Sequence, residues 1–262
     1  MRHAWAPSLL LLALFLSMSA CRLPPLDAML SRSLIDQKDP DGDDSGIPPG
    51  GAKVGDWAFP FPFVDPVPDA SGQGNDLVLM VGAPTTQNLD GRIGLEFTTV
   101  DDQLQAGPSA TISTPINGQS LSAWYYGNSV GQGPLISRYD TVGVSVWRVA
   151  SNVVDAINVL DRSGYVGGSA DNFGATFNAA AWNHLAVVFD TDNSEMRVYV
   201  NNAAPIIRTL DISGFFEPSV LIVGDITGSF PSETTPVGVI ISDVRLFNYA
   251  LTADQVDAIF NG

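Results

Sequence analysis

The chain is poor in the residues that carry most site chemistry. It has one cysteine, two histidines (His3 and His184) and two lysines (Lys38 and Lys53) in 262 residues. One cysteine excludes an intrachain disulfide and any cysteine-built zinc or iron–sulfur centre. Two histidines cannot build a histidine-rich metal site. Twelve Lys and Arg stand against 28 Asp and Glu, a net charge of −16, so the basic footprint that nucleic acid demands is missing. Charged residues reach 15% against 45% hydrophobic. That balance excludes a disordered chain or a coiled coil and leaves material for a sizeable core. Nor is there a long apolar run. Leu9 to Leu16, broken only by Ala13, falls short of the about 20 residues that span a bilayer.

What is there begins with an export signal. The short apolar run behind Arg2 and His3 reads as a secretory signal over residues 1–20. Met18-Ser19-Ala20-Cys21 resembles a bacterial lipobox, in which Cys21 would be lipidated and become the new N-terminus. The alternative is an ordinary signal that leaves Cys21 as a stray thiol. Arg22, rather than aspartate, follows the cysteine. This favours lipid anchoring at the outer membrane of a Gram-negative envelope, on its periplasmic or its outer side. Residues 21–50 form an acidic, flexible tether, with Asp39-Pro40-Asp41-Gly42-Asp43-Asp44 at its centre. Those alternating carboxylates lack the glycine and closing glutamate of a calcium loop at the required positions, so a solvated linker is the plainer reading.

Residues 51–262 punctuate themselves as an all-β domain. Short apolar or alternating runs recur between Gly, Pro, Asn and Asp clusters: Leu77–Val81, Leu121–Tyr126, Thr141–Val149, His184–Phe189, Met196–Val200, Val220–Val223 and Val237–Phe247. Leu185–Phe189 is apolar on both faces and predicts a strand buried on both sides. Asp190-Thr191-Asp192-Asn193-Ser194-Glu195 reads as a hairpin turn, with a cation site as the alternative use of its carboxylates. One helix is legible, at the C-terminal end. Thr252 and Gln255 have capping-box spacing, and Val256, Ile259 and Phe260 make one apolar face expected to seal an end of the fold.

Six blocks in order resemble the bacterial laminin-G-like domains of the concanavalin-A-like lectin/glucanase superfamily. They are Trp57-Ala58-Phe59, the loop Asp69-Ala70-Ser71-Gly72-Gln73-Gly74-Asn75, and Gly91 to Phe97 with Asp101-Asp102. Ser122-Ala123-Trp124, the pair Trp182–Val187 with Arg197–Asn201, and Asp243-Val244-Arg245-Leu246-Phe247-Asn248-Tyr249-Ala250-Leu251 complete the set. Pro60, Gln103 and Asn202 depart from the pattern. The resemblance implies a two-sheet antiparallel jelly-roll sandwich with one short C-terminal helix, and a ligand-carrying concave face in many relatives. It also makes the Asp69–Asn75 loop a candidate for one structural calcium ion, held by Asp69, Asn75 and Asp243. The competing reading is a turn in which Asp69 bonds backbone amides while Asp243 pairs with an arginine.

Chemistry of hydrolysis is absent from the pattern. Superfamily glucanases carry two glutamates on one strand about an aspartate, and a retaining glycosidase needs its carboxyls about 5–5.5 Å apart. Glu96, Glu195, Glu217 and Glu233 stand far apart in sequence, and no G-x-S-x-G is present. The expectation is a non-catalytic, lipid-anchored binding module of the cell envelope. Its partner would be a cell-surface or extracellular glycan or, alternatively, an envelope protein with no sugar site used; a degenerate glycoside hydrolase is the third reading. The aromatic supply Tyr125, Tyr126, Tyr139, Trp147, Tyr165 and Phe173 favours the glycan, because sugar CH faces stack on rings. Tyr126 and Trp147, in alternating strands with polar neighbours, are the expected exposed platforms.

Overall fold

The computed structural model describes residues 47–126, 133–140, 144–152, 156–161, 172–176, 178, 180–212, 215–224 and 237–262. Cys21, the signal, nearly all of the tether, Tyr165 and the side chain of Phe173 lie outside the described residues. Two antiparallel sheets form a sandwich. The eight-stranded sheet runs β13 (Ile206–Thr209), β12 (Glu195–Val200), β11 (Trp182–Asp190), β6 (Gly118–Tyr126), β15 (Ile240–Phe247), β4 (Arg92–Glu96), β3 (Thr85–Leu89), with β1 (Lys53–Trp57) also paired to β15. The seven-stranded sheet runs β10 (Asn172–Thr176), β9 (Ala156–Asp161), β8 (Ser145–Asn152), β7 (Gly133–Asp140), β14 (Ser219–Gly224), β5 (Gln103–Ala106), β2 (Val78–Val81). A one-turn helix, α1 (Ala110–Ser113), precedes β6, and α2 (Ala253–Asn261) follows β15. The all-β jelly roll with its C-terminal helix is as the sequence implies; α1 carries too short a signal to read.

Period-two alternation sorts the side chains. Leu121, Ala123 and Tyr125 of β6, Leu185, Val187 and Phe189 of β11, and Ile241, Val244 and Leu246 of β15 point into the core between the sheets. Ala186 and Val188 face the other way, where they pack with Tyr199, Phe247, Tyr249 and Val256. So β11 is buried on both sides, and the helix is what buries its second face. This corrects the expected placement: α2 lies on the outer face of the eight-stranded sheet, not over an end of the sandwich. Its Thr252–Gln255 capping box is formed in both directions.

The recognisable blocks turn out to be joints. Trp57 is fully buried and donates from Nε1 to the carbonyl of Asn75 at 2.8 Å. Asn248 accepts from Ala52 N–H at 2.7 Å and donates to Gly50 O, pinning the entry of β1 to the exit of β15. Asp102, fully buried, accepts from the N–H groups of Ala83, Thr98 and Thr99 and from the Thr99 hydroxyl. Burial pushes its carboxyl up, but those donors outweigh it and hold the group below the usual carboxylate range. Arg138 is buried between the sheets, where it donates to Ser219 Oγ at 2.6 Å, Gln119 Oε1 at 3.2 Å and the carbonyls of Ser113 and Glu217. One side chain thus joins α1, β6, β7 and β14.

The Asp69 loop follows the same logic. Asp69 Oδ1 accepts from Asp56 N–H at 3.0 Å and Ser71 N–H at 2.9 Å. Its Oδ2 accepts from Ser71 Oγ at 2.8 Å and Asn75 N–H at 3.0 Å. The Asn75 amide donates to Val54 O and Thr111 Oγ1. Both Asp69 carboxylate oxygens thus accept from protein donors, while the Asn75 side chain donates through its amide nitrogen. Asp243 joins a different group, paired with Arg92. Asp190 in the β11–β12 hairpin is likewise occupied, by Asn193 and Arg197. Among the described residues no cluster of three His, Cys, Asp or Glu side chains is placed to hold a metal ion. We expect Asp69→Ala to lower stability by about 1–3 kcal/mol through its stranded amides, whereas a chelator leaves the melting temperature of wild type unchanged; thermal unfolding with and without calcium checks both.

Candidate functional site

Outward-facing residues of the eight-stranded sheet divide into a half under α2 and a half beyond it. In the second half β6 contributes Trp124 and Tyr126, its only residues that are not fully buried. Strand β11 contributes Trp182 and His184, and β4 contributes Arg92 and Glu96. Register places these strands side by side: Trp182 is opposite Tyr126 and His184 opposite Trp124, while Ile240 of β15 sits between Tyr126 and Glu96.

The side chains lie along the face instead of standing up from it. Trp182 donates from Nε1 to Leu89 O at 2.9 Å, reaching the hairpin between β3 and β4. Gly94 makes this possible. A Cβ there would stand 2.5 Å from Ile240 Cγ2 and 2.9 Å from the Trp182 ring. Tyr126 meets Trp182 edge-on at 5.4 Å. The Arg92 guanidinium lies 4.0 Å from the centre of the Trp124 ring and 5.8 Å from that of Trp182. On the helix side, Phe260 stacks on Trp124 at 5.7 Å with planes 20° apart. The result is a row of half-buried rings, Tyr126–Trp182–Trp124–Phe260, with one cation laid over its centre.

Polar groups flank the row. Arg92 pairs with Asp243, the two side chains being 29% and 32% exposed. Asp243 has φ +48° at a bulge where β15 changes register against β6. Its outer edge pairs with β4 at Ile240 and Ile241, then with β1 from Val244 onward. Aspartate tolerates this left-handed turn better than most residues, and the bulge aims its carboxylate at Arg92. Across the row, Glu96 accepts from Gln87 at 2.7 Å and from Thr85 at 3.3 Å.

Tyr126, expected as an exposed platform, lies half-buried on the outer face. Trp147 does not. It is fully buried in the core, stacked on Phe189 at 5.1 Å, with Nε1 donating to Gln119 Oε1 at 2.8 Å. The bulge in β7–β8 pairing after Arg138 resets the alternation, so a polar neighbour in sequence no longer marks an outward face. Strand β8 is described over Ser145–Asn152, and residues 141–143 of the apolar run that starts at Thr141 lie outside the described residues. Trp182 begins the doubly buried strand but is itself only half-buried. Arg92 and Trp124 escaped sequence reasoning as site residues. Only knowing that β4 lies two strands from β6 brings them together.

His184 sits beneath the row and is fully buried. Its Nε2 and Ser122 Oγ are 2.9 Å apart, its Nδ1 has no hydrogen-bond partner, and the rings of Trp124 and Phe260 lie 5.1 and 5.5 Å away. Burial, then the charges of Arg245 and Arg92, pull its pKa down to about 4. A serine beside a histidine suggests nucleophilic chemistry, but both are sealed under the aromatic row, which makes the pair a packing element.

A sequence profile described as the concanavalin A-like lectin/glucanases superfamily, of laminin-G type, matches residues 98–257. The match covers more than half of the chain, which belongs to this family. No curated protein matches it in sequence. Solved structures share the fold at low identity. Domain 4 of AbnA, a GH43 extracellular arabinanase from Geobacillus stearothermophilus solved with arabinotriose, is 15% identical with a TM-score of 0.57, over 79% of this chain and 98% of that one. The binding domain of Paraclostridial Mosquitocidal Protein 1 is 13% identical with a TM-score of 0.59, over 80% and 52%. A Trypanosoma rangeli sialidase mutant is 14% identical with a TM-score of 0.59, over 90% and 38%. The chain spans about half of the toxin domain and less of the sialidase. Identities this low speak for the fold alone.

The buried histidine makes stability pH-dependent with a definite sign. Its folded pKa lies below the ordinary 6.5, so the unfolded chain binds the extra proton first. Stability from a neutral His184 is complete above about pH 6.5 and is lost as pH falls toward about 4, by about 3 kcal/mol in all. Denaturant unfolding across that range should show the slope in wild type and a shallower one in His184→Gln.

Proposed function

We propose that this member of the concanavalin A-like lectin/glucanases superfamily is a non-catalytic, lipid-anchored binding module of a bacterial cell envelope, and that its ligand is a glycan. The observation that carries the reading is the row of rings on the outer face of the eight-stranded sheet. Tyr126 and Trp182 offer half-exposed aromatic edges and faces for sugar CH groups, and Trp124 extends the surface under Arg92. Beside them stand donors and acceptors of the kind hydroxyls use: Arg92 with Asp243 on one flank, Glu96 with Gln87 and Thr85 on the other. A glycan-bearing relative in structure, the arabinanase domain with arabinotriose, is consistent with this use of the fold.

Charge narrows the ligand. The one basic group of the row, Arg92, is already paired with Asp243, and the chain as a whole carries −16. A neutral polysaccharide therefore suits the face better than an acidic one. The non-catalytic part of the reading is supported by how the nearby carboxylates are used: Asp243 neutralises Arg92, and Glu96 is hydrogen-bonded in place. Anchoring is supported by Cys21, which stands directly after the short apolar signal.

Binding to a panel of neutral polysaccharides, followed by affinity electrophoresis or calorimetry, tests the ligand. Tyr126→Ala should weaken binding at least about tenfold with the fold retained, and Trp182→Ala should weaken it at least as much while also lowering stability, because its ring covers the sheet. Trp147→Ala should instead cost about 3–5 kcal/mol of stability. Equal binding by wild type and both ring variants would sink the assignment of this face, and release of reducing sugar from any bound polysaccharide would sink the non-catalytic reading. For the anchor, Cys21→Ser should abolish incorporation of a fatty-acid label; a wild-type protein that takes up none contradicts lipidation.

A further inference from the structure

Six of the twelve large apolar side chains that stand exposed among the described residues lie in one strand and in the two segments tied to it. Strand β2 is the outermost of the seven-stranded sheet and turns Val78, Met80 and Val81 to solvent, with Met80 52% exposed. The segment before it runs alongside. Val67 bridges to Leu77, and Asp65 Oδ1 accepts from Leu79 N–H at 2.9 Å, which holds this segment at the edge; its Val64 and Phe61 are 52% and 62% exposed. At the other end the turn before β5 is tied to the residue after Gly82. Ala83 N–H donates to Asp102 Oδ1 and Thr98 Oγ1 donates to Ala83 O, which brings the turn of residues 98–102, with Val100 exposed in it, to this end of the strand. Scattered apolar residues on a surface need no explanation, but a contiguous strip of them marks a place where something binds.

Two features say what. The first is that the edge is closed to strand addition at its centre, because Asp65 already occupies the Leu79 N–H. A partner meets side chains here, not the backbone ladder. The second is charge. Asp65, Asp76 and Asp101 are exposed around the strip, and no Lys or Arg occurs from residue 54 to 91 or from 93 to 137. A second copy of this chain would bring the same carboxylates face to face across a two-fold contact, and an anionic lipid surface would be repelled in the same way. Cationic partners gain where these lose.

We propose that the β2 edge is a docking surface for a protein partner, engaged through a cationic amphipathic segment. Its apolar side chains cover Phe61, Val64, Met80 and Val81, and its Lys or Arg residues face Asp65, Asp76 and Asp101. The surface belongs to the seven-stranded sheet, while the ring row belongs to the eight-stranded one, so the two act independently.

The full chain titrated with a short amphipathic Leu/Lys peptide, at low and at high salt, tests this. Phe61 and Met80 are exposed, so the double variant Phe61→Ser, Met80→Ser keeps the wild-type melting temperature and the same net charge. It should bind the peptide at least about tenfold more weakly. Asp76→Asn with Asp101→Asn should weaken binding at low salt and lose that effect at high salt. Equal binding by wild type and the Phe61/Met80 variant would overturn the site, since charge alone would then account for the affinity. Equal affinity for a Leu/Glu peptide of the same pattern would overturn the chemistry of the partner. Self-association relieved by the Phe61/Met80 substitutions would overturn it in favour of a second copy.

Discussion

Two of the three central strands of the larger sheet, β11 and β6, are buried over most of their length on both faces, and that requirement organises the domain. One face is answered by the opposing sheet, where Leu121, Leu185, Val187, Phe189 and Leu246 meet the aliphatic core. Among the described residues no third sheet covers the other. The chain supplies two separate covers: α2, which brings Val256 down on Ala186, Val188 and Phe247, and the layer of Trp182, Arg92 and Trp124 beyond its last turn. Phe260 joins them, touching both Trp124 and His184. A cover made of side chains laid flat cannot be as complete as a helix. Its rings remain half-exposed because they are cover and surface at once.

The same requirement explains how little charge is free to act as a ligand site. In an acidic chain several of the described basic groups are committed to internal carboxylates. Arg245 and Lys53 both lean on Asp56, Arg197 on Asp190, and Arg92 on Asp243. Arg138 has carbonyls and neutral oxygens about it between the sheets, and burial pulls its pKa down. Removing Gln119 would take the indole acceptor from Trp147 and one of four acceptors from Arg138, two of the largest fully buried side chains, which explains a polar residue at the centre of an apolar core. With these cations paired, the surface around the ring row presents carboxylates, hydroxyls and rings.

Much of this was legible in the sequence, and what was not failed for identifiable reasons. The alternation of Leu185 to Phe189 announces a doubly buried strand because period two assigns both faces at once. Thr252 and Gln255 announce the helix because a capping box is local chemistry. The blocks at Trp57, Asp69, Asn75 and Asn248 are recognisable because each satisfies backbone groups across a joint, a demand that tolerates few residue types. Trp147 was misplaced because one extra residue in a β7–β8 bulge inverts inside and outside, and a bulge leaves no local signature. Placement of α2 failed for a similar reason: an amphipathic face tells that a helix packs, not on which side of a sheet. Arg92 could not be paired with Trp124 from sequence at all, since β4 and β6 meet only through β15, whose residues lie more than a hundred positions later.

That dependence on topology also separates what the two exposed surfaces can mean. The rings of the larger sheet are held by groups that serve the fold: Gly94 makes room for Trp182, the Asp243 bulge orients Arg92, and His184 fills the space below. A change there alters packing as well as any ligand contact, so only residues at the margin of the row, Tyr126 above all, report on binding by itself. The strip along β2 is different. Phe61, Val64 and Met80 touch the core little, and the strand they flank is already fixed by its pairing with β5 and by Asp65. Nothing in the folding of the domain requires those side chains to be apolar. In a chain whose other large apolar residues are largely in the core, side chains with no structural need to be apolar point to a need outside the chain.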